Sequence, residues 1–473
     1  MSRQLPPAWR DEQGKPKAPP RLAIDPTAPT VHVRSYHVIT PLFGGGVEPQ
    51  QADPVTTVRS SEVRGHLRFW WRATRAGRYG ANGLQQMKEA EDRLWGSTER
   101  QSLVEVEVRN VQTGTLITHL TSDPTSPFLG DPIKSPISYA AFPLRRMPER
   151  PNPGGLRFGV SFDLAVTLPT DPELRRDVLA ALWAWETFGG VGARTRRGFG
   201  ALHCQTVSGT TGLGPWLPES KESEVVLGWL RDRLSDFVVP GSAPTGVPLL
   251  SPQAPPHGPF KLGTRAELIH FAQNPHLAYE RRLQDLLKNN KLAPSKVDDL
   301  LPALVVWYYP IHKLREFRQS RRDKNGKPYG RSYWPEPDEI RWRFKGGFRG
   351  SHSAPVSATK IRTNKFPRAA FGLPIIFQFK DNELDSTTLQ GTDHDRLASR
   401  LILRPLACTD GRFVSFVSVA TILNAPALPP GGLRLKDAQD EDGVSTASLT
   451  AAEAAFPPLN GKTDVLQAFL DTL

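Results

Sequence analysis

Residues 156–205 read LRFGVSFDLAVTLPTDPELRRDVLAALWAWETFGGVGARTRRGFGALHCQ, which is an alternating segment, a helical segment, a glycine-rich loop and a short strand in succession. Apolar side chains fill every second position from Leu156 to Leu168, which predicts one strand with one buried face. Thr170 or Asp171 can cap the helix that follows, where proline is tolerated in the first turn. The loop and the last strand then complete a strand–helix–strand unit.

Two strands and two helices are predicted upstream of this unit. The strands are VHVRSYHVITPL (31–42) and LVEVEVRNV (103–111), and the helices are SEVRGHLRFWWRATRAG (61–77) and LQQMKEAEDRLWGS (84–97). Strand, helix, strands, helix, loop and strand together form the split βαβ, or ferredoxin-like, arrangement. Helix and strand patterns recur less clearly in the second half, so we predict two α+β domains.

The length of 473 residues also favours two domains, because it exceeds what one hydrophobic core usually serves. We expect a disordered, proline-rich segment at 1–28 and an N-terminal domain at 29–207 that includes the glycine-rich loop. Residues 208–260 are rich in Gly, Pro, Ser and acidic residues, which predicts a linker with one short helix. The C-terminal domain, with helical insertions, is expected at 261–473.

The charge of the chain points to a polyanionic partner. The formal net charge is +12, and 16 Lys or Arg face 5 Asp or Glu between His312 and Arg368. Aromatic residues are interleaved with this positive charge, which favours single-stranded nucleic acid because bases can stack on them. Arg349, Arg362, Lys365 and Arg368 are therefore candidate RNA contacts, although a loop with incidental charge is an alternative for part of the stretch.

Other compositional features favour the cytoplasm. No stretch approaches the roughly 20 apolar residues of a membrane span, and the N-terminal residues have no apolar signal-peptide core. Cys204 and Cys408 are the only cysteines, too few for a disulfide framework, which agrees with a reducing compartment.

The predicted helix at 61–77 has a basic stripe and a separate apolar stripe. The basic stripe consists of Arg64, Arg68, Arg72 and Arg75. Only Glu62 lies nearby in sequence to pair with it, so the stripe is suited to a polyanion, and Arg64, Arg68 and Arg72, with His66 beside them, are candidate contacts to nucleic-acid phosphates. Trp70 and Trp71 lie on the apolar stripe and are expected in the core.

The glycine-rich loop, GGVGARTRRGFG at 189–200, is a second candidate RNA site. Glycines let the backbone approach a ligand, and Arg194, Arg196 and Arg197 supply positive charge. A Rossmann loop would need a preceding strand and a following helix, which is the reverse of the order here, and no Gly-Lys-Ser/Thr motif occurs. A nucleoside triphosphate site is therefore disfavoured.

Six motifs in fixed order resemble those of the RAMP superfamily of CRISPR effector proteins, and most closely the first subunits of type III-B Cmr complexes. They are TPLFGGG (40–46), VRGHLRFWWRAT (63–74), LWGST (94–98), GGVGARTRRGFGAL (189–202), NKFPRAAFGLPIIF (364–377) and DRLASRLILRP (395–405). Residues 205–300 contribute little to this resemblance.

The resemblance implies an α+β fold of two ferredoxin-like, RRM-related domains. It also implies a non-catalytic RNA-binding role near the 3′ end of the CRISPR RNA, at the head of a ribonucleoprotein that captures complementary target RNA in antiviral defence. The implied partners are the CRISPR RNA, the target single-stranded RNA and other RAMP subunits. Cutting of the target would belong to the repeated backbone subunits.

A metal-independent endoribonuclease of the same superfamily, processing CRISPR RNA, is the alternative function, because some relatives use a histidine in acid–base chemistry. His66, His312 and His394 are the candidates for this role, but the sequence shows no second acid–base partner at a defined spacing. A TDHDR motif at 392–396 could suggest a metal site, but a loop or capping role is favoured because adjacent side chains point apart. We expect no metal and no cofactor. A stand-alone single-stranded RNA-binding protein is a third possibility.

Overall fold

The computed structural model covers all 473 residues and describes the fold over most of the chain from residue 30 onward. The described residues are 30–46, 53, 55–117, 139–141, 155–208, 215–250, 260–262, 284–285, 287–322, 331–345, 365–379, 384, 386–419, 432–436, 441–444 and 449–473. The predicted N-terminal segment 1–28 and two candidate RNA contacts, Arg349 and Arg362, lie outside these residues.

The first half contains seven strands and four helices within the described residues. The strands are β1 (Thr30–Val38), β2 (Leu42–Phe43), β3 (Val106–Gln112), β4 (Thr115–Ile117), β5 (Leu156–Phe158), β6 (Ser161–Leu168) and β7 (Leu202–Val207). The helices are α1 (Ser60–Arg75), α2 (Leu84–Trp95), α3 (Pro172–Phe188) and α4 (Ser223–Phe237). Of the two predicted caps, Asp171 and not Thr170 caps α3, by accepting hydrogen bonds from the backbone N–H groups of Glu173 and Leu174.

The main sheet of this half is antiparallel and has the strand order β3-β6-β1-β7. Along the chain its strands and main helices follow as β1, α1, β3, β6, α3 and β7, which is the predicted split βαβ order. Helices α1 and α3 pack against each other, and Trp70, Trp71 and Trp185 are buried in the core beneath them. The α+β class is confirmed, and so is the core position of both tryptophans of α1.

The prediction of one strand from Leu156 to Leu168 is wrong. The segment divides at Gly159, whose φ of 71° lies in the left-handed region that only glycine adopts without strain. Strand β5 pairs with β2 and β4 in a separate three-stranded sheet, whereas β6 stays in the main sheet. Apolar alternation continues through the break because both parts are buried, in two different cores.

The second half contains smaller sheets and further helices. The helices are α5 (Pro294–Arg318), α6 (Glu336–Lys345) and α7 (Val465–Leu470). The strands are β8 (Phe260–Leu262), β9 (Arg321–Arg322), β10 (Arg331–Ser332), β11 (Ile375–Phe377), β12 (Thr387–Gly391), β13 (Leu401–Ala407), β14 (Phe413–Val419), β15 (Leu433–Lys436) and β16 (Glu441–Val444).

These strands form three antiparallel sheets with the orders β13-β14-β8, β11-β12-β15-β16 and β10-β9. Helix α5 packs on β13 and β14. The four-stranded sheet of this half follows chain order and does not have the interleaved strand order of the first sheet, so a second ferredoxin-like domain stays a prediction. Strands β11, β13 and β14 lie within the apolar segments GLPIIFQFK, SRLILRPLA and RFVSFVSVATIL.

The two largest cores each contain residues from both halves of the chain. The first includes Phe416 of β14 beside the residues of α1 and α3, and the second includes Phe199 of the glycine-rich loop beside Trp307 of α5. Helix α4, expected as a short helix in a linker, buries Trp229 and Phe237 in the first core. The domain boundaries at 207/208 and 260/261 stay predictions. Within the described part of the chain, no helix combines the length and apolar character that a membrane span needs.

Candidate nucleic-acid interface

The glycine-rich loop occupies the junction between the first sheet and the second half of the chain. Arg194 adopts a left-handed conformation, with φ of 60°, and leads into a 3-10 turn at Thr195–Arg197 that ends at Gly198. The Thr40 hydroxyl donates to the Gly198 carbonyl (2.6 Å), and the Trp307 Nε1–H donates to the Arg197 carbonyl (2.8 Å). The loop is therefore held from both sides in one conformation.

Replacing Gly198 with alanine should destabilise this junction. A Cβ there would lie 2.3 Å from both the Leu403 carbonyl oxygen and the Trp307 Nε1, and φ is +80°. Gly246 is a matched control, because its φ is +79° but nothing lies within 4 Å of its Cβ position. We expect Gly198→Ala to lower the free energy of unfolding by about 2 kcal/mol more than Gly246→Ala, since overpacking costs roughly 1–3 kcal/mol. Equal losses in thermal melts of the two variants would show that the junction yields to the added methyl group.

Two of the three loop arginines bind backbone carbonyls of the second half. Arg196 donates to the Ser399 carbonyl (2.6 Å). Arg197 donates to the carbonyls of Phe371 (3.0 Å) and Leu401 (3.2 Å), and burial is the main cause that lowers its pKa, to about 9. These two side chains connect the loop to its neighbours, and their positive charge is not neutralised by those carbonyl contacts.

Four arginines from distant parts of the sequence lie together here, and we name them the arginine cluster. They are Arg194, Arg197, Arg318 and Arg368. Arg318, at the end of α5, donates to the Tyr139 hydroxyl (3.1 Å), and Arg368 donates to the Arg318 carbonyl (3.3 Å). All four side chains are half-buried.

The guanidinium groups of the arginine cluster repel one another. Burial lowers the pKa of Arg194 to about 10, the Tyr139 hydroxyl opposes this effect, and the charge of Arg318 adds to it. Burial likewise lowers the pKa of Arg368, with the charge of Glu336 opposing and that of Arg318 adding. A lowered arginine pKa means that the folded protein disfavours the positive charge.

Counter-charge in the arginine cluster is scarce among the residues that the structure describes. Glu336 pairs with Arg368 (3.2 Å) and is the one carboxylate recorded in contact with the cluster. The Nε atoms of Arg194 and Arg318 and the Nη2 atom of Arg368 are buried without a hydrogen-bond partner. Buried charges are normally paired, so this arrangement suits a bound anion.

The expectation that the α1 arginines lack acidic partners is wrong for Arg68 and Arg72. Both bind Glu91 of α2, at 2.6 Å and 2.8 Å, and Arg68 also binds Asp92 (3.2 Å). Arg75 is buried against Asp177 (2.8 Å). Glu91 and Asp92 lie in the neighbouring helix, about twenty residues along the chain, where helical spacing within α1 cannot reveal them. The side chains of Arg68 and Arg72 are nevertheless 29% and 32% exposed.

Arg64 and His66 differ from the other polar residues of α1. Arg64 is half-buried and forms no ion pair with a described residue, and its Nε has no hydrogen-bond partner among them. His66 lies 6.4 Å from the Trp185 ring, and burial lowers its pKa to about 4. The imidazole is therefore neutral at neutral pH.

Helix α1 also contacts the glycine-rich loop directly. The Glu62 carboxylate accepts a hydrogen bond from the Gly192 backbone N–H (2.7 Å). It therefore binds the loop and does not pair with the arginines of α1. Burial raises the pKa of Glu62, and the Gly192 hydrogen bond opposes that effect. The two predicted arginine sets thus lie on elements that touch each other.

The remaining predicted residues have different surroundings. Lys365 binds Glu453 (2.7 Å) and is half-buried. Asp395 of the TDHDR motif pairs with Arg434 (3.2 Å). Across the described ranges, no group of three or more His, Cys, Asp or Glu side chains is arranged to hold a metal ion.

Sequence reasoning missed Arg318 and Tyr139. Neither belongs to a glycine-rich or arginine-rich motif near the loop, and each lies more than 50 residues from Arg194 in the chain. The basic stretch 312–368 contains Arg318, but its charge alone does not distinguish this residue from the others around it. Only the packing of α5 against the loop brings Arg318 to the site.

A family model and two curated proteins similar to this chain point to the same superfamily. Residues 35–203 match the family model described as the RAMP superfamily. The CRISPR system Cmr subunit Cmr1-2 of Pyrococcus furiosus is 30% identical over an alignment of 179 residues that covers 35% of this chain and 91% of that protein. Cmr1-1 of the same organism is 30% identical over 150 residues, 31% of this chain and 40% of that protein.

Two solved structures are also similar over most of the chain. The apo crystal structure of Cmr1 from Pyrococcus furiosus has a TM-score of 0.41 and 15% identity, covering 88% of this chain and 94% of that one. A chain of the type III-B Cmr-beta complex bound to cognate target RNA and AMPPnP has a TM-score of 0.42 and 12% identity, covering 94% and 98%. Because a curated Cmr1 subunit matches at 30% identity over 91% of its length, this chain belongs to the Cmr1 family of CRISPR Cmr subunits, within the RAMP superfamily.

Proposed function

We propose that this protein is a non-catalytic RNA-binding subunit of a type III-B CRISPR ribonucleoprotein, placed at the CRISPR RNA 3′ end and the head of the complex, where it helps to capture target RNA. Its partners would be CRISPR RNA, target RNA and other RAMP subunits, in the cytoplasm. Family membership supports the assembly. The observation that carries RNA binding is the arginine cluster, in which Glu336 is the one carboxylate partner among the described residues.

A phosphate backbone fits the arginine cluster better than a carboxylate-bearing partner would. Guanidinium groups bind phosphate oxygens through paired N–H donors, and several phosphates in a row can serve several arginines. A nucleic-acid strand also needs an extended basic surface. Arg64, Arg68 and Arg72 would extend the surface along α1, because Glu62 joins that helix to the loop.

The absence of catalysis is part of the proposal. A general acid–base mechanism for RNA cleavage needs a base and an acid close to one phosphate. His66 is neutral and half-buried beside Trp185, and His312 pairs with Glu316 (2.9 Å) on α5. We expect the purified protein to leave repeat-containing RNA intact in EDTA over hours, measured on denaturing gels. Specific cleavage that disappears in His66→Ala would favour the endoribonuclease alternative.

Salt dependence tests the RNA-binding proposal directly. If the arginine cluster neutralises about four phosphates, log K for a single-stranded RNA should fall with log salt at a slope of about −3, from roughly −0.7 per phosphate. Fluorescence anisotropy titrations of a labelled oligonucleotide, at about 50 to 400 mM salt, measure the slope. A slope near zero would contradict the proposal, because binding without phosphate contacts releases no counterions.

A further inference from the structure

A cavity of about 340 Å³ opens between the outer face of the first sheet and the N-terminal turns of α5. We name it the histidine pocket. The side chains that its chemistry depends on are His37, His203, Gln205, Lys296, Asp299 and Phe413. Its volume lies at the small end of the range for ligand sites, which suits a single flat group and not a folded partner.

Two imidazoles form the floor of the histidine pocket. His37 and His203 are directly opposite each other on β1 and β7, on the face turned away from buried Tyr36 and Cys204. Burial lowers the pKa of both histidines. The pKa of His203 is lowered to about 4, and the neighbouring His37 is the second cause of that shift. At neutral pH each ring is neutral and offers one donor and one acceptor.

Helix α5 supplies opposite charges at the rim. Lys296 and Asp299 are three residues apart, so they lie on one face of the helix. Both act on His37: the charge of Lys296 lowers its pKa, and that of Asp299 raises it. Asp298 also lines the pocket. Two carboxylates and one ammonium beside neutral imidazoles do not favour a phosphate, unlike the arginine cluster.

The walls add a flat apolar surface and an amide. The Phe413 ring lies 6.0 Å from that of His203, nearly perpendicular to it at 87°. Gln205 is two residues beyond His203 on the strand and offers both a donor and an acceptor. Aromatic and imidazole rings on the face of a sheet are surfaces on which unstacked RNA bases can lie.

We propose that the histidine pocket binds one guanine base. Guanine has two adjacent N–H donors, at N1 and N2, which match the two oxygens of a carboxylate such as Asp299. Its O6 and N7 are acceptors, which match the Lys296 ammonium and an imidazole N–H. Uracil has one N–H between two carbonyl oxygens, and those oxygens would face the carboxylates unfavourably. The guanine would belong to a single-stranded RNA, and this part of the proposal rests on the proposed function above.

Nucleosides test the pocket without the arginine cluster, because they carry no phosphate. Saturation-transfer NMR on the full-length protein compares guanosine, inosine and uridine. Inosine lacks only the 2-amino group, so its affinity isolates one contact to the carboxylates. We expect guanosine to bind about tenfold more tightly than inosine, because a hydrogen bond to a charged group is lost. Equal signals for all three nucleosides would overturn the proposal.

Variants assign the contact to this pocket. Asp298→Asn/Asp299→Asn should abolish the preference for guanosine over inosine, whereas Asp232→Asn, an exposed carboxylate on α4, should preserve it. A preference that survives in the double variant would overturn the assignment. Circular dichroism melts show that the variants fold, and the exposed Asp298 and Asp299 side chains should make little difference to them.

Two further comparisons distinguish RNA from a free nucleotide as the source of guanine, and the guanine pocket from the proposed RNA-binding function. The oligonucleotide UUGUU should compete with guanosine better than UUUUU if RNA supplies the base, whereas competition by GTP alone would assign the pocket to a free nucleotide. If the wild-type protein binds guanosine but shows no salt-dependent RNA binding, the proposed function fails and the pocket stands. If RNA binds with a steep salt slope but nucleosides do not, the pocket fails alone.

Discussion

Replacing Arg194 with asparagine and Arg318 with glutamine should weaken single-stranded RNA binding on the order of a hundredfold, without lowering thermal stability. Each lost charge-assisted contact is worth about 1.5 kcal/mol, and about 1.4 kcal/mol corresponds to a factor of ten in Kd. Asparagine suits position 194 because it tolerates the left-handed conformation, at φ of 60°, that Arg194 adopts.

Stability should be unchanged or higher because the folded protein disfavours the charge of Arg194. The pKa of Arg194 is lowered to about 10 by burial, with Arg318 adding to the effect. A group whose pKa is lower in the folded state, and which is charged at neutral pH, opposes folding there. Neutral side chains remove that penalty, at the cost of the hydrogen bond from Arg318 to Tyr139.

Anisotropy titrations and thermal melts on the same preparations decide between binding and structural roles. Arg93→Gln/Arg231→Gln removes the same net charge from exposed positions on α2 and α4, and should change the affinity by less than about threefold. Undiminished RNA affinity in the folded Arg194/Arg318 variant would remove the arginine cluster from the binding site. A similar loss in the control would show that net charge alone, and not this site, binds RNA.

Arg68→Ala/Arg72→Ala should instead destabilise the protein by roughly 3–5 kcal/mol, because it leaves a buried carboxylate without its partners. Glu91 is only 4% exposed and accepts hydrogen bonds from both arginines, at 2.6 and 2.8 Å. Arg68 additionally donates to the Gly96 carbonyl (2.8 Å), at the C-terminal end of α2. Chemical denaturation with urea measures the loss.

A rescue variant separates the loss of charge pairing from a general loss of packing. Adding Glu91→Gln to the double variant removes the uncompensated charge and should recover more than half of the lost stability. Arg100→Ala, an exposed arginine after α2, is a control that should change stability by less than about 0.5 kcal/mol. If Arg68→Ala/Arg72→Ala melts like the wild type, the pairing with Glu91 contributes nothing to stability, and both arginines are free to serve RNA.

Local patterns in the sequence were sufficient for many elements of the fold. The cap at Asp171, the amphipathic character of α1 and the burial of Trp70 and Trp71 depend on interactions within a few residues or on one periodic face. The order of strands and helices in the first half likewise follows from their own patterns. The break at Gly159 was missed because alternation records burial, and not which sheet buries the residue.

Contacts between distant segments could not be read in the same way. The sequence alone determined the basic charge, the glycine-rich loop and the α+β class, because each is a property of composition or of short-range periodicity. Tertiary structure alone decided that Arg68 and Arg72 meet Glu91, that Arg318 joins Arg194, and that His37 lies opposite His203. The physical reason is that a charge is neutralised or left unpaired by its neighbours in space, which the packing of separate helices and strands brings together.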